Sequence, residues 1–98
     1  MSLETLPFDA AEYLGDEEAQ TELLAEAFET GDATFIANAL GVVARARGMT
    51  SIARDAGVTR EALYKALSGK GDPKLSTLLG VMKALGIRLS VEPSVPAE

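Results

Sequence analysis

The sequence predicts an all-α protein with five principal helices, and three features of the chain support this prediction. Of its 98 residues, 47 % are hydrophobic but only 5 % are aromatic. Alanine and leucine supply much of the apolar content, which favours closely packed helices over a β-rich core. Apolar residues recur at three- and four-residue spacing, the period of an amphipathic helix. A chain of this length is expected to form one compact core.

The first part of the chain predicts a short element followed by two long helices. Residues Phe8 to Leu14 are expected to form a helical turn or hook. Asp16 is a predicted N-cap for a helix that ends at Gly31, and Asp32 is a predicted N-cap for a second helix that ends at Gly48.

Two very short helices and a longer one are predicted next. The short helices span about Thr50–Ala56 and Thr59–Ser68, and each begins at a threonine in a capping position. Gly57 lies between them, where a tight turn favours glycine. The final helix is expected to begin after a cap at Ser76 and to end at Gly86.

The C-terminal residues Ile87–Glu92 alternate between apolar and polar side chains, which is the pattern of a half-buried strand. A single strand cannot satisfy its own backbone hydrogen bonds, so it needs a partner edge. Because no other strand is predicted, a second copy of the same segment is the expected partner. The sequence therefore predicts a homodimer through this strand, with another protein as the open alternative.

Composition excludes several classes of chemistry. The chain has no cysteine and no histidine, which removes disulfides, thiol nucleophiles and the common zinc ligand sets. Acidic pairs such as Glu22 and Glu26 have no nucleophile or phosphate-cradling loop beside them. We therefore expect no enzyme activity, no metal and no cofactor. The lack of a basic leader and of a long apolar run predicts a cytoplasmic protein without a membrane span.

Charge is divided unevenly along the chain. Residues 1–44 carry ten acidic and no basic side chains, a net charge of −10, whereas residues 45–98 carry nine basic and five acidic ones, a net charge of +4. Such asymmetry indicates two partners of different charge, although a solvated acidic surface is an equally adequate explanation. We interpret residues 1–31 as an acidic helical extension packed on the core, and residues 32–98 as the domain that carries the motif described next.

The segment Met49–Ser68, with sequence MTSIARDAGVTREALYKALS, has the pattern of a helix-turn-helix motif. Small or apolar residues stand where two helices crossing at a tight turn need them. These residues are Ile52, Ala53, Ala56, Gly57, Val58, Leu63 and Ala66. A purely structural helical corner is the alternative interpretation, because any such corner meets some of these requirements.

The residues left on the outer face of this motif predict DNA binding. On the second short helix they are Thr59, Arg60, Glu61, Tyr64, Lys65 and Ser68. Arg60 is the best candidate for a bidentate contact to guanine, and Glu61 for accepting a hydrogen bond from cytosine. Alternatively, Glu61 and Lys65 form a surface ion pair.

Contacts to the DNA backbone are predicted on either side of that helix. Thr50 and Ser51 open the first short helix, where hydroxyl and N–H groups can hold a phosphate. Lys70, and with less support Lys74, would add positive charge near the backbone.

Three runs resemble a known family: AEYLGDEEA, ALGVVARARGMTSIARDAGVTREALYKALSGKGDPKL and TLLGVMKALGIRLSV. Together they resemble the bacterial Xre/Cro-type helix-turn-helix antitoxins of addiction modules, from about Phe8 to Val91. The resemblance implies a lambda-repressor-like fold. One departure is that Thr50 and Ser51 stand where many Xre-type motifs have a glutamine.

The resemblance also implies a partner and two activities. The partner would be a small basic toxin of the RelE/ParE type, which the antitoxin silences, and the antitoxin would repress the shared operon by binding operator DNA. The acidic helices would then face the toxin, with Glu18, Glu22, Glu26 and Glu29 as the candidate contacts. A stand-alone Xre-family regulator without a toxin, and a helical interaction module that has lost DNA binding, are the alternatives.

Overall fold

The computed structural model describes residues 16–94, which form five helices. In chain order these are α1 (Glu17–Thr30), α2 (Ala33–Arg47), α3 (Met49–Ala56), α4 (Arg60–Ala66) and α5 (Leu75–Ala84). The all-helical prediction is therefore confirmed for this part of the chain. The expected turn at Phe8–Leu14 lies outside the described residues.

Three helices begin at the predicted caps. The carboxylate of Asp16 accepts a hydrogen bond from the backbone N–H of Glu18 at the start of α1. Asp32 accepts hydrogen bonds from two backbone N–H groups at the start of α2, at 3.0 and 3.2 Å. The Thr59 hydroxyl accepts a hydrogen bond from Ala62 N–H in α4. Each side chain satisfies N–H groups that a helix end leaves without an intrahelical acceptor.

Two predicted caps are wrong. The helix α3 begins at Met49, so Thr50 lies inside its first turn, and no side chain caps it. Gly48 is at once the C-cap of α2 and the N-cap of α3, which leaves no separate position for a capping side chain. Similarly, α5 begins at Leu75 after Lys74, which places Ser76 within the helix.

One hydrophobic core receives side chains from all five helices. The largest fully buried apolar residues are Leu24 from α1, Leu40 and Val43 from α2, Leu63 from α4 and Val81 from α5, and α3 adds Ile52. Leu24 and Ala27 join the same core as the later helices. The acidic helix α1 is thus an integral part of the packed structure between residues 16 and 94.

Arg47 connects three elements around the edge of this core. Its Nε donates a hydrogen bond to Gln20 Oε1 in α1 at 2.6 Å, and its Nη2 donates to the backbone carbonyl of Leu85 at 3.2 Å. The same Nη2 lies 3.9 Å from the Glu17 carboxylate. Gln20 is 1 % exposed, which makes it a buried polar residue among the residues 16–94 that the structure describes. Arg47 thereby connects α1, α2 and the end of α5.

Two glycines allow helices to approach closely. A Cβ atom at Gly41 would lie 2.9 Å from the carbonyl oxygen of Leu67, just after α4. A Cβ atom at Gly80 in α5 would lie 3.1 Å from the carbonyl oxygen of Ala56 in α3. Because both neighbours are backbone atoms that move little, glycine at these positions sets the distance between the helices.

The predicted strand at residues 87–92 is not seen in the single chain. Within residues 16–94 all regular secondary structure is helical, and the segment 87–92 has none. Ile87 N–H donates a hydrogen bond to Met82 as the chain leaves α5, where Gly86 adopts a left-handed φ of 75°. A strand is defined by pairing with a neighbour, so this segment needs a second edge to form one.

Candidate functional site

The helices α3 and α4 meet at a turn whose geometry matches the sequence pattern. Gly57 has a φ of 78°, in the left-handed region, and its N–H donates to the end of α3. Val58 N–H then donates to Ala53 at 3.0 Å. Of the apolar residues that the motif predicts between the two helices, Ile52, Ala53 and Leu63 are buried, and Ala56, Val58 and Ala66 are half-buried. These side chains are thus at least partly shielded from solvent.

The opposite side of α4 faces solvent. Thr59, Arg60, Glu61, Tyr64 and Lys65 are all exposed. The Arg60 guanidinium lies over the Tyr64 ring, 5.5 Å from its centroid, which is a cation–π arrangement. Hydrogen bonding and charge interaction with Tyr64 raise the pKa of Arg60 above its ordinary value. An exposed arginine held beside an aromatic ring presents its N–H donors outward.

The alternative ion pair between Glu61 and Lys65 is not formed. Across residues 16–94, ion pairs join Arg47 to Glu17 and Arg54 to Asp55. The carboxylate and the ammonium group on α4 are thus both available to another molecule.

Ser68 differs from the other predicted contacts because its hydroxyl already has a structural role. It is half-buried, donates a hydrogen bond to the carbonyl of Lys65 at 2.9 Å and accepts one from Lys70 N–H at 3.3 Å. These bonds hold the loop that follows α4. A contact from Ser68 to DNA stays a prediction, whereas its part in shaping the loop is observed.

At the start of α3, Thr50 is exposed and Ser51 is half-buried. Arg54, one turn later, donates a hydrogen bond to the Ser51 hydroxyl at 3.3 Å and lies 3.5 Å from the Asp55 carboxylate. Arg54 was not among the residues predicted to contact DNA. Its spacing of three residues from Ser51 was the available signal, because such residues share one face of a helix.

A basic depression adjoins α4. It has a volume of about 700 Å³ and is lined by the exposed lysines Lys65, Lys70 and Lys74 and by the exposed carboxylate of Asp72. Its charged described residues thus carry more positive than negative charge, which suits an anionic partner. The structure thus places Lys74 beside the two lysines that the sequence analysis emphasised.

The four acidic residues predicted to meet a toxin, Glu18, Glu22, Glu26 and Glu29, are all exposed on α1. The opposite side of α1 is buried through Leu24 and Ala27. This helix therefore presents carboxylates to solvent while its apolar side joins the core. A solvated surface and a partner surface would both have this arrangement.

Neither a metal-binding cluster nor a membrane-spanning helix is found between residues 16 and 94. No three acidic side chains there come together in a way that could hold a metal ion. No helix in this range has both the length and the apolar character needed to cross a membrane.

Comparison with known proteins finds similarity over most of the chain. Residues 4–93 match a family model described as a probable addiction module antidote protein. An uncharacterized protein of Haemophilus influenzae is 49 % identical over 87 residues, which cover 89 % of this chain and 90 % of the relative. No solved structure matches the chain.

Proposed function

Because the chain belongs to the family of probable addiction module antidote proteins, we propose that it is an antitoxin with two binding activities. One activity neutralises a cognate toxin, and the other binds operator DNA as an autorepressor through the helix-turn-helix formed by α3 and α4. The observation that carries the DNA activity is the exposed polar face of α4, with Arg60 stacked on Tyr64 and lysines beside it.

DNA recognition would divide between base and backbone contacts. The exposed residues of α4 would enter the major groove, with Arg60 reading guanine and Glu61 reading cytosine. The lysines around the depression would contact phosphates, and Thr50 and Ser51 would do so on the other side. We propose that the protein binds DNA as a homodimer, since paired reading helices match two half-sites.

Toxin neutralisation would use the acidic side of the molecule. A small basic toxin of the RelE/ParE type would be attracted by the carboxylates of α1, of which Glu18, Glu22, Glu26 and Glu29 are exposed. The segment 87–92 has two candidate partners in this scheme, a second copy of the chain and the toxin.

DNA binding can be tested with a duplex taken from the region upstream of the protein's own gene. Its affinity should exceed that for a scrambled duplex of equal composition, and it should fall steeply as salt rises from about 50 to 200 mM, because phosphate contacts release counterions. Fluorescence anisotropy measures both effects. Equal affinity for the two duplexes, or no binding at low salt, would contradict the proposed operator recognition.

Neutralisation can be tested by co-expression with the product of the adjacent reading frame. The antitoxin should restore growth that this product alone arrests. The variant Arg60→Ala should rescue growth equally well while losing operator affinity, because the two surfaces are distinct. Operator binding without any rescue would instead indicate a stand-alone regulator.

A further inference from the structure

A groove runs between α1 and the segment 87–92, which has no regular secondary structure. It has a volume of about 680 Å³, and apolar side chains from both sides line it, including Leu24, Phe28, Met82 and Leu89. Leu89 is 38 % exposed, and Val91, two residues later, is 99 % exposed. An apolar groove flanked by exposed apolar side chains is typical of a surface that another chain covers.

The backbone on one side of this groove is unpaired. Within the described part of the chain, no hydrogen bond joins residues 88–92 to any other residue. Apolar and polar side chains alternate along this segment, from Ile87 to Glu92, as in a strand with one covered face. A segment with unpaired backbone groups and this alternation can pair with a strand from another chain, whose main chain supplies the hydrogen bonds.

The charge around the groove distinguishes between possible partners. Among the described residues, three carboxylates, from Glu26, Glu29 and Glu92, and one guanidinium, from Arg88, line it together with the apolar residues. A second copy bound through a two-fold axis would bring the same net negative patch against itself. A basic partner would instead find opposite charge beside an apolar floor.

We propose that this groove is the docking site of the basic toxin, which adds an extended segment along residues 88–92. This inference rests on the proposed antitoxin function and deepens it. Apolar side chains of the toxin segment cover Leu89 and Phe28, and its lysine or arginine side chains meet Glu26 and Glu29. Of the four exposed glutamates of α1, Glu26 and Glu29 line the groove, whereas Glu18 and Glu22 do not.

The contribution of charge to toxin binding is tested by comparing Glu29→Lys with Glu22→Lys. Both substitutions lie on α1 and change the net charge of the protein by the same amount. The probe is the purified toxin encoded beside the gene, and calorimetry of the full chain measures its dissociation constant. We expect Glu29→Lys to weaken toxin binding roughly tenfold or more, because like charges then meet in the groove. Glu22→Lys should weaken it by less than about threefold, through screened attraction alone.

The apolar part is tested by comparing Leu89→Ser with Leu75→Ser. Leu75 is 66 % exposed and begins α5, at the end of that helix opposite the groove. Leu89→Ser should weaken toxin binding about tenfold, the effect of losing an apolar anchor, whereas Leu75→Ser should leave it unchanged. Circular dichroism and operator affinity check that all four variants keep the fold.

The results separate this proposal from the proposed function. If the wild-type protein does not bind the toxin, the antitoxin function itself fails. If it binds but Glu29→Lys and Glu22→Lys lose equal affinity, the whole face of α1 is the docking surface and the groove is not. If Leu89→Ser abolishes a dimer of the free protein in sedimentation experiments and leaves toxin affinity unchanged, the edge pairs with a second copy. Either of the last two results overturns the groove proposal.

Discussion

The face built by α3 and α4 and the groove beside α1 are assembled in different ways. In the first, the interactions that orient the exposed side chains are local: Gly57 turns the chain, Thr59 caps α4 and Leu63 anchors it. In the second, Phe28 and Leu89 line one groove although most of the described chain lies between them in sequence. Local interactions are visible in a sequence pattern, whereas a groove between distant segments depends on the packing of the whole chain.

The two surfaces nevertheless depend on one core, so a substitution in that core should affect both. Leu24 in α1 is 2 % exposed and belongs to the cluster that includes Leu63. We predict that Leu24→Ala lowers the free energy of unfolding by about 2–5 kcal/mol, the usual cost of a large cavity. Urea denaturation measures this change. Operator affinity should fall together with stability as the temperature is raised.

The control for Leu24→Ala is Leu75→Ala, which removes a side chain that is 66 % exposed and should cost less than about 1 kcal/mol. If Leu24→Ala costs no more than its control, α1 is not part of the cooperative structure, and the two surfaces fold independently.

A substitution on the face built by α3 and α4 should affect that surface alone. We predict that Arg60→Ala weakens operator binding by about 1–3 kcal/mol and relaxes the preference for one base pair, because a bidentate guanine contact is lost. Toxin affinity should not change. The matched control is Lys83→Ala, which removes an exposed cation from the last turn of α5. An equal loss for both variants would mean that Arg60 contributes only net charge.

The connection made by Arg47 gives a smaller effect on stability. We predict that Arg47→Met lowers the free energy of unfolding by about 1–2 kcal/mol, because Gln20 and the Leu85 carbonyl lose their donor. Arg45→Met, in the same turn of α2 and exposed, is the control and should change stability by less than about 0.5 kcal/mol. Thermal unfolding followed by circular dichroism compares them. Similar values would show that the connection between α1 and α2 is not energetically important.

The smallest expected effect on stability comes from the threonines at the starts of the two short helices, α3 and α4. Thr59→Ala should cost about 0.5–2 kcal/mol, because it removes the hydrogen bond to Ala62 N–H. Thr50→Ala should cost less than about 0.5 kcal/mol, since Thr50 makes no capping bond and lies exposed in the first turn of α3. Chemical denaturation resolves this difference. A larger loss at Thr50 would contradict the observed boundary of α3.

Local patterns in the sequence were sufficient for much of the helical structure. Asp16, Asp32 and Thr59 cap helices as predicted, because a capping hydrogen bond involves residues only two or three positions apart. The inward side of α3 and α4 was also predictable, since helical periodicity alone separates a buried stripe from an exposed one. Thr50 and Ser76 failed as caps because the N-caps of their helices, Gly48 and Lys74, lie two residues earlier than the pattern indicated.

By itself, then, the sequence determined which residues form helices, which side of each helix is apolar and where charge is concentrated. Tertiary structure alone decided that Arg47 meets Gln20 and Leu85, that lysines from α4 and the following loop surround one depression, and that residues 87–92 border α1. The physical reason is that periodicity and capping act over one or two helical turns. The contacts that create a groove or a depression arise only when distant segments share one core.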